Sequence, residues 1–524
     1  MMKTRWTHTR MGCALAAAAV VALAASSAAE AAGSEVAHGP IEVTLSVTDA
    51  GTPFPHFWEV MFGSDRAVQV LRDNYRKDLR QVKAATDFKY VRFHALFHDE
   101  VGLYDEDEHG KPVYNFSYVD QIYDSLLAAG VRPFVELSFM PKKLAADPKN
   151  TFDFWYKPVI SPPKDYARWD AMLDALARHL IERYGIDEVS SWYFEVWNEP
   201  NIGFWGGEPY KKTYYELYDH SARTLKRVSE RLRVGGPSTA QAAWAGDFIE
   251  HCHRNGVPID FVSSHVYSND LPQDVFQNTT PVPRDQMVCR AVRKVADEVR
   301  RSPLPKLPLI FSEYNASFAN EPNVTDTVFM GPWLASTISQ CDGLLESLSY
   351  WTFSDVFEEQ GIPRTPFHGG FGLIATNGIP KPSFNAFTLL HRLGDRRLQV
   401  DSDSVLATKR QDGAIVVALW NYAPPDATGM KYKVPGAAGP TKHFLLRLSD
   451  APAGARAQIR RLDRDHGNVI ARFDAMGRPP FPTRTQIDEL RAAAQLGEPE
   501  DLPAEGASYS VIVPSHGLAL VEIR

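Results

Sequence analysis

Two glutamates, Glu199 in FEVWNEPNIGFW and Glu313 in LPLIFSEYN, stand 114 residues apart, each at the end of a short apolar run. A carboxylate set among Trp197, Phe204 and Trp205 costs free energy unless it is paired or used. Two carboxylates brought to one site can cleave an acetal: one protonates the leaving oxygen, and the other attacks the anomeric carbon or activates water. Taken alone, NEP marks only a loop entry, because the residue before a proline is pushed out of helical conformation. SEY alone carries less. The pair has meaning only if the elements before the two glutamates deliver them to the same place.

Those elements repeat along the chain. Apolar runs of strand length occur at 57–64, 90–96, 132–140, 192–199, 233–238, 259–267, 307–315 and 345–353. Between them lie segments with helical periodicity, such as DYARWDAMLDALARHLIERYG and YYELYDHSARTLKRVSERL. Strands alternating with amphipathic helices predict a parallel sheet, and eight such units predict an α/β fold, a closed (β/α)8 TIM barrel. In that barrel functional groups sit at the C-terminal strand ends. Glu199, with Asn198, then ends strand four and Glu313 ends strand seven, so both reach one mouth. Strand six, SSHVYS, adds His265 and Tyr267 two apart on one face. Strand two offers His94 and Asp99, and strand eight offers Trp351, Glu358 and Glu359; Trp351 suits a platform under a sugar ring.

After about residue 376 the pattern becomes short alternating strands, read as an accessory C-terminal antiparallel β-sandwich with one inserted helix, TQIDELRAAAQLG. The domain expectation is a signal peptide over 1–31, an N-terminal segment over 32–50 whose strand pairs with the sandwich, the barrel over 51–376 and the sandwich over 377–524.

The leader expectation rests on Lys3, Arg5 and Arg10, the run GCALAAAAVVALAA, and the small residues after it. Cleavage near Ala31 would remove three positive charges and Glu30, taking the net charge from -8 to -10. The mature chain is then expected outside the cytoplasm, periplasmic or secreted, with no membrane association. Cys13 precedes the apolar run instead of following it, which argues against a lipid anchor. Cys252, Cys289 and Cys341 remain, so at most one disulfide forms. No basic patch points to nucleic acid. HCH at 251–253 falls near a predicted helix end, where side chains two apart diverge, so no metal is expected there. Ser263, Ser264 and His265 lack a G-x-S-x-G elbow, which argues against acyl transfer.

The stretches VRFHALFHDEVGLY, RPFVELSFMPKKLA, FEVWNEPN, VPIDFVSSHVY, FSEYNASF, YWTFSDVFEE and FHGGFGLIATNGIPKPSFNAF together resemble the β-xylosidases of glycoside hydrolase family 39. GNVIARFDAMGRPPFPTRTQIDELR extends the resemblance into the C-terminal region. The chain departs from the family at RFHALFH, where relatives place glycine after the histidine. The resemblance implies a retaining, exo-acting hydrolase of xylo-oligosaccharides or β-xylosides that needs no cofactor. It also implies Glu199 as acid/base, Glu313 as nucleophile and Asn198 on the sugar 2-hydroxyl. His94, His265, Tyr267, Trp351, Glu358 and Glu359 would line the terminal-xylose subsite. The alternatives are α-L-iduronidase activity, found in the same family, and a sugar-binding protein without catalysis.

Overall fold

Eight short strands form a closed parallel barrel in the computed structural model, which describes residues 39–434, 439–449, 454–506 and 508–524. They are β1 (Met61–Arg66), β2 (Tyr90–His94), β3 (Arg132–Leu137), β4 (Tyr193–Val196), β5 (Arg233–Thr239), β6 (Phe261–Tyr267), β7 (Leu309–Asn315) and β8 (Ser347–Tyr350). Six lie inside their apolar runs, while β1 runs on to Arg66 and β5 to Thr239, past the runs 57–64 and 233–238. The expected leader falls outside the described residues. Among the described residues no helix is long and apolar enough to cross a membrane.

The barrel interior is layered by the two-residue period of its strands. At the bottom Met61, Phe134, Tyr193, Phe261 and Ile310 fill the lumen from five strands. Two residues further along, the same inward face carries Arg92, Glu136, Glu195 and Ser312, all fully or almost fully buried. β1 supplies glycine at this level for a steric reason. A Cβ on Gly63 would come within 2.1 Å of the Trp351 ring, so only glycine lets that indole lie across the mouth. Register shifts at Ser264/His265 on β6 and between Phe311 and Tyr314 on β7 re-aim the last residues of both strands. The first shift sets His265 opposite Glu313.

Beyond the barrel, a four-stranded sheet and a seven-stranded sheet enclose a second apolar cluster that includes Val43, Val417, Phe444 and Val511. Ile41–Ser46 pairs with Lys442–Ser449 in parallel, so the sandwich is antiparallel except for this strand. Side chains from the other face of the seven-stranded sheet, among them Val416, Trp420 and Leu520, belong to the barrel's own buried cluster. The core is therefore continuous across that junction. Two helices, not one, interrupt the sandwich strands. Arg484–Ala493 starts with a Thr483/Gln486 capping box, and the short Val469–Ala475, capped by Asn468, precedes it. A helix of only seven residues is too brief to stand out by periodicity.

Cys289 and Cys341 form a disulfide between the helices Arg284–Arg301 and Met330–Cys341, leaving Cys252 as a buried thiol.

Candidate active site

The turn after β4 is built to project a carboxylate. Trp197 and Glu199 both adopt left-handed backbone, with φ of 72° and 44°. For side chains of this size that conformation is strained and persists only where the surroundings fix it. Here Trp197 is wholly buried, donates from Nε1 to the Phe204 carbonyl at 2.8 Å, and packs edge-to-face on Trp205 at 4.9 Å. The Glu199 N–H donates to the Ser238 carbonyl at the end of β5, at 2.8 Å. The aromatic residues around Asn198 and Glu199 thus hold the turn, and the carboxyl of Glu199 stands over the barrel mouth.

Glu313 reaches the same mouth from β7. Carboxylate oxygens of Glu199 and Glu313, with a ring nitrogen of His265, all lie within 4.8 Å of one another. Glu313 is held on both oxygens: Arg92 Nη1 donates to Oε1 at 2.7 Å, and the Tyr267 hydroxyl donates to Oε2 at 2.6 Å. Among the described residues, Glu199 meets no Lys or Arg side chain at hydrogen-bond distance. Its Oε1 contacts His265 Nδ1 at 2.9 Å.

Arg92 organises the floor. Its Nε donates to Glu195 at 2.6 Å, and Nη2 donates to Asn198 Oδ1 at 2.9 Å and lies 2.7 Å from Glu136. Because a guanidinium only donates, the Asn198 oxygen must face it, which turns the asparagine N–H groups away to serve as donors. His94 Nδ1 contacts Glu136 at 2.8 Å, and its Nε2 lies 3.5 Å from Glu359.

These contacts divide the two carboxyls. Burial raises both, and Glu199 goes well above the usual range because the charges of Glu313 and Asp270 add to burial. For Glu313 burial is opposed by Arg92, by His94 and by the Tyr267 hydroxyl. We therefore assign the proton of the coupled pair to Glu199 and the negative charge to Glu313. Burial alone would lower His94, yet the Glu136 carboxylate carries it to about 10, so the ring is an imidazolium. His265 moves the other way: burial, then the Arg92 and His94 charges, hold it well below its usual range and keep it neutral.

A cavity of about 330 Å³ opens over this floor. Of the residues singled out in the sequence, Glu199, Glu313, Asn198, His94, Tyr267, Trp351 and Glu359 line it. Glu358 does not. Its carboxylate turns away and is taken up by Gln69 at 2.7 Å, Arg72 at 2.6 Å and Arg66 at 3.2 Å. Glu358 opens a turn closed by the Gly361 N–H on its carbonyl, and two arginines and Gln69 already claim its side chain. His265 is also beneath the surface, fully buried behind Glu199, where its Nε2 meets Ser312 at 3.1 Å; it contacts Glu199 and does not line the cavity. Asp99 is exposed and points toward Lys142 at 3.9 Å. Residues 251–253 belong to neither cluster of His, Cys, Asp and Glu able to share an ion among the described residues.

The sequence reading passed over Arg92, Glu136 and Glu195. Each is a charge at an inward position of an otherwise apolar strand, in YVRFHAL, RPFVELSFM and WYFEVWNE, and that pattern was the available signal. Phe204, marked in the sequence beside Glu199, is one aromatic wall of the cavity; Asp270 and the other walls, Phe152, Phe154, Phe318 and Phe371, were passed over. These come from loops whose placement no local period encodes.

The family model for glycosyl hydrolases family 39 matches residues 41–506. A β-xylosidase of Geobacillus stearothermophilus is 38% identical over 484 residues, covering 90% of this chain and 93% of that protein. The crystal structure of the GH39 enzyme from Xanthomonas axonopodis pv. citri superposes with a TM-score of 0.83 at 34% identity, covering 93% of this chain and 97% of that one. A monomeric β-xylosidase from Caulobacter crescentus CB15 gives a TM-score of 0.83 at 33% identity, with 92% and 99% covered.

Proposed function

The chain belongs to glycosyl hydrolase family 39, and we propose that it is a retaining, exo-acting β-D-xylosidase that releases terminal xylose from xylo-oligosaccharides. The observation that carries this reading is the asymmetric pair: Glu313 anchored by Arg92 and Tyr267, and Glu199 facing it without a cation, with oxygens within 4.8 Å. Retaining enzymes keep their two carboxyl groups only about 5–5.5 Å apart, whereas inverting ones need roughly 6.5–9.5 Å to admit a water.

In the first step Glu199 gives its proton to the glycosidic oxygen while a Glu313 oxygen attacks the anomeric carbon. The bond from that carbon to the leaving oxygen breaks, the alcohol departs and a xylosyl ester forms on Glu313. Esterification removes the Glu313 charge that had raised Glu199. Glu199, now ionised, takes a proton from water as the water oxygen attacks the anomeric carbon, and Glu313 leaves as a carboxylate. Two inversions give net retention. Asn198 is assigned to the sugar 2-hydroxyl through its free N–H groups, with His94, Glu359 and Trp351 around the same ring. The small cavity, with its carboxylates on the floor, suits a chain end.

An iduronide would bring a carboxylate into this space. The cationic side chain lining the cavity is His94, already engaged by Glu136 and Glu359, and Glu359 would repel a second carboxylate. Both glutamates needed for turnover are present, which disfavours a binding protein without catalysis. The leader supports export, and a Cys289–Cys341 bridge suits an oxidising compartment.

The test is the initial rate on 4-nitrophenyl β-D-xylopyranoside beside the α-L-iduronide, with Glu313→Ala as control. Xyloside turnover that vanishes in the variant supports the reading. Turnover of the iduronide alone, or of neither, overturns it.

A further inference from the structure

Two large aromatic side chains stand in solvent beside the cavity, and the hydrolysis of a terminal xylose does not by itself explain them. Trp155 is 62% exposed and Phe318 is 54% exposed. Single exposed aromatics are ordinary on a protein surface; these two differ in being tied to residues that line the cavity, where a ligand would cover them. They come from different loops, Trp155 from the segment after β3 and Phe318 from the segment after β7.

Both are tied to the floor of the site. The Trp155 N–H donates to the carbonyl of Glu359 at 2.7 Å, and its ring passes over Gly361. The neighbouring Phe154 turns the other way, lining the cavity and stacking toward His94 with ring centres 6.4 Å apart. Trp155 thus sits next to Phe154 and Glu359, two residues of the cavity lining, with its own ring in solvent. Phe318 lines the cavity while remaining half in solvent. Its backbone N–H is held by Asn269 Oδ1 at 2.9 Å. Its ring stands edge-on to Tyr267 at 6.3 Å, the same tyrosine that donates to Glu313.

Polarity therefore changes with depth. Carboxylates, His94 and Asn198 occupy the floor, where a sugar's hydroxyls are matched; phenyl and indole rings occupy the rim, where C–H faces are matched. We propose that Trp155 and Phe318 form the aglycone subsite, stacking on the pyranose ring of the penultimate xylose and so setting the preference for oligosaccharides over simple alkyl xylosides. This rests on the xylosidase reading above and adds the leaving-group side of the substrate to it. Two rigid rings on anchored backbone make such a contact at little cost in side-chain entropy.

The experiment compares kcat/KM for xylotriose with kcat/KM for methyl β-D-xylopyranoside in the full chain and in Trp155→Ala, Phe318→Ala, Trp155→Phe and Phe318→Tyr. The expected result is a fall of about tenfold per alanine substitution in the ratio of xylotriose to methyl xyloside. The aromatic replacements restore most of that ratio. A ratio unchanged within twofold in both alanine variants overturns the proposal, as does an equal loss on both substrates, which would indicate damage to the shared floor. Loss confined to kcat on both substrates, with the ratio intact, also overturns it. Failure of the unsubstituted protein to cleave either xyloside is a different outcome, and it removes the xylosidase reading itself.

Discussion

Arg92 Nη1 and Glu313 Oε1 lie 2.7 Å apart in an ion pair whose arginine is wholly shielded from solvent. The same guanidinium also meets Glu136 and Glu195, so one cation balances part of the charge of three buried carboxylates. Removing it leaves Glu195 and Glu313 with hydroxyl donors but without their buried cation, at a cost of about 3–5 kcal/mol. Arg92→Met should therefore lower both stability and turnover, seen as a drop in the thermal midpoint together with loss of xyloside hydrolysis. A variant of ordinary stability would show that this layer is not held by the arginine.

The Tyr267 hydroxyl is bonded to Glu313. Kept protonated by burial and by the Glu313 charge, it donates to Oε2 at 2.6 Å. A hydrogen bond to a charged group contributes about 1.5–3 kcal/mol, and one pKa unit is about 1.4 kcal/mol. Activity needs Glu313 ionised, so rate rises with pH through its pKa. In Tyr267→Phe that pKa goes up, and the acid limb of the kcat/KM profile should move about one to two units toward higher pH. The alkaline limb, which follows the proton on Glu199, should move little. An acid limb that stays in place would exclude this role.

Glu199 should separate substrates by leaving group. Glu199→Ala is expected to cut kcat/KM on xylobiose by roughly 10²–10⁴. It should spare a dinitrophenyl xyloside, which departs without a proton. With azide added, the variant should yield the β-configured xylosyl azide, identified by proton NMR. Equal losses on the two substrates would argue against the acid role.

Lys381 is a test of stability outside the cavity lining. It is fully buried between Asp326 at 2.7 Å and Asp355 at 2.8 Å, and it donates to the Gly370 carbonyl at 2.8 Å. Both aspartates also receive backbone N–H groups, from Gly369 and Gly372, so the lysine ties together the loop that carries Phe371. Lys381→Met should destabilise by about 3–5 kcal/mol, read as a shortened half-life of activity on heating. Adding Asp326→Asn to it should recover part of the loss, because one of the orphaned charges is then gone. No recovery would mean that the lysine acts through packing.

The disulfide gives a further stability test. Cys289 and Cys341 close a loop of 52 residues, which in the chain-entropy account is worth about 4 kcal/mol. The double replacement by serine should lose activity faster on heating while keeping its kcat on xylosides at room temperature. A kcat that fell with stability intact would connect the bridge to the site instead.

The barrel and its two glutamates were legible in the sequence because both follow from local periods. Eight apolar runs separated by amphipathic helices admit few topologies, and parallel strand polarity then puts Glu199 and Glu313 at one mouth whatever the side-chain packing. Other features depended on contacts between segments distant in the chain. Glu358 and Glu359 are neighbours of identical type, and only Arg66, Gln69 and Arg72 meeting Glu358 decide that Glu359 faces the cavity. Three cysteines do not announce which two pair; the packing of two barrel helices selects Cys289 and Cys341. That Ile41–Ser46 joins the sandwich was expected, but its parallel pairing with Lys442–Ser449, some 400 residues away, is an arrangement no turn signal encodes. Arg92 makes the same point for function. Its place in an apolar strand marked it as unusual, but its hold on Glu313 arises only when closure of the barrel brings β2, β3, β4 and β7 around one buried charge.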